Sequence, residues 1–415
     1  MSRAHIIGAG LAGLSAAVAL ARRGWSITLS EAAAQAGGRC RSYHDPQLDM
    51  IIDNGNHLVL SGNEAVADYL DMIGARDRLA GPDQARFPFV DLRDGTRWTL
   101  APNDGALPWW ILSRKRRVPG TRLRDYRSLA RLARATTGTV GSVVKSNGPL
   151  WDRLTAPLMV SALNTPAAEA DAGLAAAILS GTLARGGRAC RPMIAQPSLE
   201  AAFIAPALAR LADNDVTIRF GRRLRAIEFD DARVSGLVFS DGRDAVAPDE
   251  PVILAVPPWV AAELVPELVV PDHFHAIVNA HFRLVPPPTA ERMIGVIGGT
   301  CEWIFAFPDR LSVTISAADA LCDEEREPLA RRIWAEVAAI HRLPAELPPW
   351  QIVRERRATF AATPEQSARR PNAATRWINL HLAGDWTATG LPATIEGALQ
   401  SGATAARLAL AAVAA

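Results

Sequence analysis

The chain has only two lysines, Lys115 and Lys145, and only four cysteines, Cys40, Cys190, Cys301 and Cys322, in 415 residues. The cysteines are widely scattered, with no Cys-x-x-Cys pair and no Cys/His ligand spacing. That argues against a disulfide framework and a zinc site, and it suits a reducing cytoplasm. Excess charge is just as scarce: 45 basic against 43 acidic residues leave a formal +2, so the molecule as a whole is no polycation for nucleic acid. No run of about 18 or more apolar residues is free of charges and breakers, so no transmembrane helix is expected. The apolar N-terminus is interrupted by glycines and lacks a clean small-residue cleavage site, so no signal peptide is expected. The tail from Ala403 to Ala415 is apolar but short, carries Arg407, and reads as a packed terminal helix.

The length suits two or three lobes, and a 49% hydrophobic content supplies a sizeable core. Organisation starts with the first residues. Ala4-His5-Ile6-Ile7 is a short apolar run, expected as a buried parallel strand. Gly8-Ala9-Gly10-Leu11-Ala12-Gly13 follows, then a helix is predicted from Leu14 to Arg23, with Gly24 as its C-terminal cap. Ser26 to Ser30 reads as a second strand with Glu31 at its end. Each piece has a task in a dinucleotide fold. Gly8 permits the strand-to-helix turn, Gly10 lets a pyrophosphate approach the backbone, and Gly13 lets helix and strand pack closely. The helix start at Leu11 and Ala12 offers free N–H groups and a positive dipole end to phosphates. Glu31, 18 residues after Gly13, can accept hydrogen bonds from ribose hydroxyls and repels a 2′-phosphate, which disfavours NADP. NAD and FAD both stay open at this point.

Gly37-Gly38-Arg39-Cys40-Arg41-Ser42 comes next. The stretch from Glu31 to Ser42 resembles the Glu…Gly-Gly-Arg…Ser signature of the superfamily of amine oxidases, phytoene desaturases and protoporphyrinogen oxidases. Far downstream, Leu382-Ala383-Gly384-Asp385-Trp386, Pro392 and Glu396 to Gly402 resemble its closing motif. The resemblance implies FAD. It places Gly37, Gly38 and Arg39 near the diphosphate and ribityl chain, Gly384 and Asp385 at the ribityl–phosphate region, and a helix starting near Thr394 and Ile395 with its N-terminus toward the flavin ring. It also implies that Asp53-Asn54-Gly55-Asn56-His57 lies close to the isoalloxazine, and that Leu224 gives adenine a backbone contact. Leu224 opens a predicted strand to Phe229, set between strands at Val216–Phe220 and Val234–Phe239, and Pro251 to Pro258 resembles the superfamily's returning strand.

The expected fold class is therefore α/β, a Rossmann-like FAD-binding lobe of the amine-oxidase type with an inserted α+β substrate lobe. The FAD lobe is expected in three pieces, 1–79, 214–270 and 365–415. A mainly helical insert at 80–213 and an antiparallel sheet at 271–364 would form the substrate lobe and roof the flavin.

Within the superfamily, amine oxidases usually carry a lysine that positions water near flavin N5, and an aromatic residue two before the Glu-Gly-Ala step. Neither lysine falls in the right segment, and Thr394 stands at the aromatic position. An aromatic cage recognises a cation, so its absence points to an apolar substrate. Leu158 to Pro166, together with Ala383 to Thr387, closely resembles the branch first called squalene-associated desaturases, now understood as hydroxysqualene dehydroxylases. That resemblance implies reductive removal of an allylic hydroxyl in squalene and hopanoid biosynthesis, a dry tunnel for a long isoprenoid, and an electron donor for the flavin. The same motifs would serve an isoprenoid desaturase or oxidase, which moves hydride the other way, or a lipid carrier that keeps FAD for structure. His57 reads as a proton donor or as a structural histidine beside the cofactor. Asn164 reads as a group orienting the substrate hydroxyl or as a loop cap before Thr165-Pro166. His273, His275 and His281 have no ligand spacing, and no metal is expected.

Pro108-Trp109-Trp110-Ile111-Leu112 runs directly into Arg114-Lys115-Arg116-Arg117, and five further arginines follow up to Arg134. Paired tryptophans beside a basic cluster suit an anionic membrane surface, so a cytoplasmic protein held peripherally at the inner face of the cell membrane is expected. No aromatic-interleaved RNA module surrounds the patch, which disfavours nucleic acid.

Overall fold

The computed structural model describes residues 2–214 and 216–414. Strands Arg3–Ile7 and Ser26–Ser30 flank helix Leu11–Ala21. The helix begins at Leu11 rather than Leu14, because Gly10 is extended and already serves as its N-cap. It ends before Gly24, whose positive φ of 75° lets the chain reverse. These two strands are the middle of a five-stranded parallel sheet ordered Thr217–Arg219, Ser26–Ser30, Arg3–Ile7, Val252–Leu254, Leu380–Leu382. Its strands come from three distant pieces of sequence. Val252, Ile253 and Leu254 are all fully buried, as a strand covered on both faces requires.

The last helix, Ile395–Ala414, closes the lobe by lying on the first. The two backbones approach so closely that a Cβ on Gly402 would sit 2.1 Å from the Ala12 carbonyl oxygen. The Ser15 hydroxyl donates to the Leu399 carbonyl at 2.8 Å across the same contact. A three-stranded antiparallel sheet, Leu224–Asp230, Arg233–Phe239 and Gly242–Ala245, extends this lobe.

The second lobe is a seven-stranded sheet ordered Trp350–Phe360, Phe274–Arg283, Arg310–Ile315, Trp303–Phe307, Met293–Ile297, Phe87–Asp91, Arg97–Leu100. Two of its strands come from the segment expected to be mainly helical, and Met293–Ile297 pairs parallel with Phe87–Asp91, so the sheet is mixed rather than antiparallel. One face buries Val278, Ala280, Leu311 and Val313 against Ile333, Trp334 and Val337 of helix Arg326–His341. The other face turns toward the dinucleotide lobe.

Two buried histidines, His281 and His381, and the half-buried His57 tie stability to pH. Burial pushes His281 down to about 3, with help from the Arg310 charge, and His381 down to about 4. His57 is pushed down to about 4, first by burial and second by the Arg39 charge. Unfolded histidines take up protons below about pH 6.5, whereas these stay neutral in the fold. Their contribution is full above that pH and is lost as the pH falls toward the folded values. The Tm of the apoprotein should drop between about pH 7 and about pH 5. Neither ring nitrogen of His381 has a partner, so His381→Leu should shrink the drop; an unchanged drop would mean that the ring is not held neutral.

Candidate active site

The strand-to-helix turn is built by sterics. Gly8 has φ of 104°, and a Cβ there would lie 2.4 Å from the Ala255 carbonyl oxygen. A Cβ on Gly13 would lie 1.9 Å from the carbonyl oxygen of Gly8. Gly10 differs: a Cβ there would meet nothing within 4 Å. Its surface is open space in front of the first helical turn, where the amides of Leu11 and Ala12 have no intrahelical acceptors. Glu31 closes one side. One carboxylate oxygen accepts from the Ala9 N–H at 2.7 Å and the other from the Ala33 N–H at 2.8 Å, which leaves lone pairs on both. Its carbonyl accepts from Arg222 N–H at 2.9 Å, two residues before Leu224, which is buried and paired with Phe239. Gly37 donates to the Ala9 carbonyl at 2.8 Å, and a Cβ on Gly38 would lie 3.5 Å from the Gly10 Cα.

The distant halves of the resemblance meet here. The Arg39 guanidinium donates to both oxygens of Asp385 at 2.7 Å and also to the Ala358 carbonyl. Gly384 donates to the Ser401 hydroxyl at 2.8 Å. Thr394 caps the final helix by accepting from Gly397 N–H at 3.1 Å, and Ile395 opens that helix. These residues fit a dinucleotide: a helix start facing open space, a carboxylate with spare lone pairs, and two buried polar atoms without partners, Ser30 Oγ beside Glu31 and Asn56 Oδ1 beside Gly55.

The segment 53–57 joins this lobe to the sheet. Asn56 donates through its amide to Thr314 Oγ1 at 3.1 Å, and the Thr314 hydroxyl donates to Asn279 Oδ1 at 2.8 Å. Asn279 in turn donates to the Asn54 carbonyl at 3.4 Å, and a Cβ on Gly55 would lie 3.1 Å from its amide nitrogen. Strand register continues the row from Asn279 to Thr314, Trp303, Gly295, Phe89 and Trp98. Paired residues share a face, so one line across the sheet runs from amides and a hydroxyl to aromatic rings. Gly295 provides room: a Cβ there would lie 2.4 Å from the Phe89 ring. Phe89 stacks on Trp98 with centroids 5.3 Å apart, and Trp303 tilts onto Phe89 at 5.3 Å. Leu58 and Leu60, next to His57, pack against the same apolar cluster.

His57 follows Asn56 in sequence, and burial, helped by the Arg39 charge, pushes its ring down to about 4. Asn164 corrects one expectation. It is 3% exposed and donates to the His275 carbonyl at 3.1 Å and to Thr359 Oγ1 at 2.9 Å, while accepting from Ala317 N–H at 2.6 Å. Its polar atoms are engaged within the protein, so it is a clip between segments and not a group that orients a substrate hydroxyl. The tryptophan pair also divides: Trp109 is 62% exposed, whereas Trp110 is 5% exposed and packs edge-on against Tyr126. His275 pairs with Asp319 at 2.6 Å and His281 with Ser312 at 2.8 Å. Among the described residues, no group of three or more His, Cys, Asp or Glu side chains is placed to hold a metal.

No motif in the sequence marks Asn279, Thr314 or Glu355, the last 3.4 Å from the Asn54 amide. Alternation within Phe274–Arg283 puts Asn279 and His281 on one side and the apolar Val278 and Ala280 on the other. That pattern could have flagged Asn279; no pattern brings Glu355 to Asn54.

Comparison with known proteins agrees with this geometry. The family model of flavin containing amine oxidoreductases matches residues 11–410. A hydroxysqualene dehydroxylase from Rhodopseudomonas palustris is 53% identical over 411 residues, covering 98% of each chain. One from Sinorhizobium fredii is 52% identical over 407 residues, again covering 98% of each. The solved structure of a putrescine oxidase double mutant has the same fold, with a TM-score of 0.72 over 99% of both chains at 15% identity. The cofactor of this fold is FAD. The chain belongs to the flavin containing amine oxidoreductases, in the branch of the hydroxysqualene dehydroxylases.

Proposed function

We propose that this protein converts hydroxysqualene to squalene by FAD-dependent reductive dehydroxylation. The observation that carries this reading is identity of 53% and 52% with two hydroxysqualene dehydroxylases along nearly the whole of each chain. When bound and reduced, FAD supplies the hydride. On the substrate, the C–O bond breaks, the oxygen leaves as water after taking one proton, and a C–H bond forms at the same carbon.

The chain's own residues supply place and environment. Gly10, Leu11, Ala12, Glu31, Arg39 and Asp385 would hold the cofactor along the open helix start. Asn56, with its unpartnered Oδ1, and the adjoining Asn279 and Thr314 form the polar end of the site and orient the hydroxyl. Trp303, Phe89 and Trp98 continue as an apolar wall for the isoprenoid. Excluding water there protects an electron-poor carbon until hydride arrives, and aromatic faces favour positive charge nearby. Thr394 occupies the place of a cage aromatic and is committed to capping a helix, which agrees with a neutral substrate.

Anaerobic mixing of the prereduced holoenzyme with hydroxysqualene tests this reading. The expected result is one squalene formed per flavin reoxidised. Flavin that stays reduced, with no squalene formed, would refute it.

A further inference from the structure

Positive charge is concentrated in one part of the molecule. Between residues 107 and 134 there are nine basic side chains and a single carboxylate, Asp125, in a chain whose formal charge is only +2. Elsewhere many arginines are neutralised by neighbours, as Arg153 is by Asp91 and Asp94, or Arg222 by Asp241 and Asp244. Within this segment only Arg124 approaches a carboxylate among the described residues, Asp125 at 4.0 Å. Asp125 is itself engaged, accepting from the Arg122 N–H at 2.7 Å. Arg114, Lys115 and Arg116 are exposed.

The same segment displays apolar side chains to solvent. Leu107 is 64% exposed, Trp109 62%, Leu112 55% and Leu123 46%. The segment is nevertheless well anchored. Trp110 and Tyr126 pack edge to face at 5.4 Å beneath it, and the Tyr126 hydroxyl accepts from Val118 N–H at 2.9 Å. Trp110, Tyr126 and partly buried Ile111 belong to the apolar cluster that also contains Phe89 and Trp303. The exposed Trp109 and Leu112 thus flank, in sequence, Trp110 and Ile111 of the cluster that forms the apolar wall. Just beyond, Arg127, Arg131 and Arg134 line an open groove.

We propose that this face docks on an anionic lipid bilayer and that the isoprenoid reaches the site through it. The proposal rests on the functional reading above, since a long isoprenoid resides in a bilayer. Leu107, Trp109, Leu112 and Leu123 insert at the headgroup–acyl boundary. Lys115 and the arginines draw the face to anionic headgroups, and the arginine groove receives lipid phosphate. Attachment in this reading is to one leaflet's surface; no helix among the described residues is long and apolar enough to cross a membrane.

The test is flotation of the holoenzyme with vesicles of phosphatidylcholine alone or mixed with phosphatidylglycerol. Binding is expected on the mixed vesicles and should weaken as salt is added. The double variants Trp109→Ser with Leu112→Ser, and Lys115→Glu with Arg116→Glu, should each lower partitioning by about tenfold or more. Both should keep full flavin and full turnover of detergent-dispersed substrate, because none of these residues lies at the site. Equal binding of the wild type to both vesicle types would overturn the proposal. So would loss in the charge-reversal variant alone with full binding in the apolar variant, which would mark a polyanion surface instead. Absence of turnover in detergent with normal flotation would count against the functional reading and not against the docking face.

Discussion

Replacing Gly10 with valine is expected to give a chain that folds but holds no flavin. Gly10 has φ −74° and ψ 177°, an extended conformation open to valine, so no backbone strain follows. A Cβ there meets nothing within 4 Å, so the apoprotein has space for the side chain. That space lies over the free amides at the helix start, where phosphate oxygens must approach closely. The added methyl groups should lower flavin affinity by about 100-fold or more, about 3 kcal/mol. Gly13→Ala should do the reverse of a clean cofactor defect. Its Cβ would fall 1.9 Å from the Gly8 carbonyl oxygen, so helix and strand must part, and both stability and flavin are lost. Visible flavin absorbance and the Tm of the apo forms separate the two. A fully yellow Gly10→Val protein would mean that no phosphate lies over this position.

Asn164→Ala is expected to be among the most destabilising single changes in the substrate lobe, with little effect on turnover per bound flavin. Three hydrogen bonds disappear, to His275, Thr359 and Ala317, and each buried group left unpaired costs about 1–3 kcal/mol. Asn164 also holds φ 47°, a left-handed conformation that asparagine tolerates better than alanine. After local relaxation the loss should be about 3–5 kcal/mol. Asn164→Gly should recover about 1 kcal/mol of it, since glycine accepts positive φ. Denaturant unfolding gives these values, and steady-state kinetics gives the other half of the test. A variant of normal stability that had lost turnover would return Asn164 to the substrate.

The difference between Gly10 and Asn164 shows which parts of the site could be read early. The phosphate loop is local: strand, glycines, helix and acid lie within the first 31 residues, and each residue's task follows from backbone sterics that depend on near neighbours. Asn164 precedes Thr165-Pro166, and its residue type suits both a cap and a substrate contact. Only its partners, 111 and 195 residues away, decide between them. Trp109 and Trp110 are adjacent and identical in type, yet one faces solvent and the other packs on Tyr126. That choice depends on which side of a short turn the apolar cluster lies.

The residues in order along the chain were enough to locate the dinucleotide loop and to join two remote motifs into one FAD lobe. Thr394 at the position of a cage aromatic, and the absence of a lysine in the segment where the resemblance would place one, are likewise legible in the sequence alone. Tertiary structure alone decided that Arg39 reaches both oxygens of Asp385, and that strands from residues 87–100 complete the sheet over the site. It alone set Asn279, Thr314, Trp303, Gly295, Phe89 and Trp98 in one row. Local motifs are written by short-range sterics and charge. A row across a sheet is written by strand register, which no single strand carries.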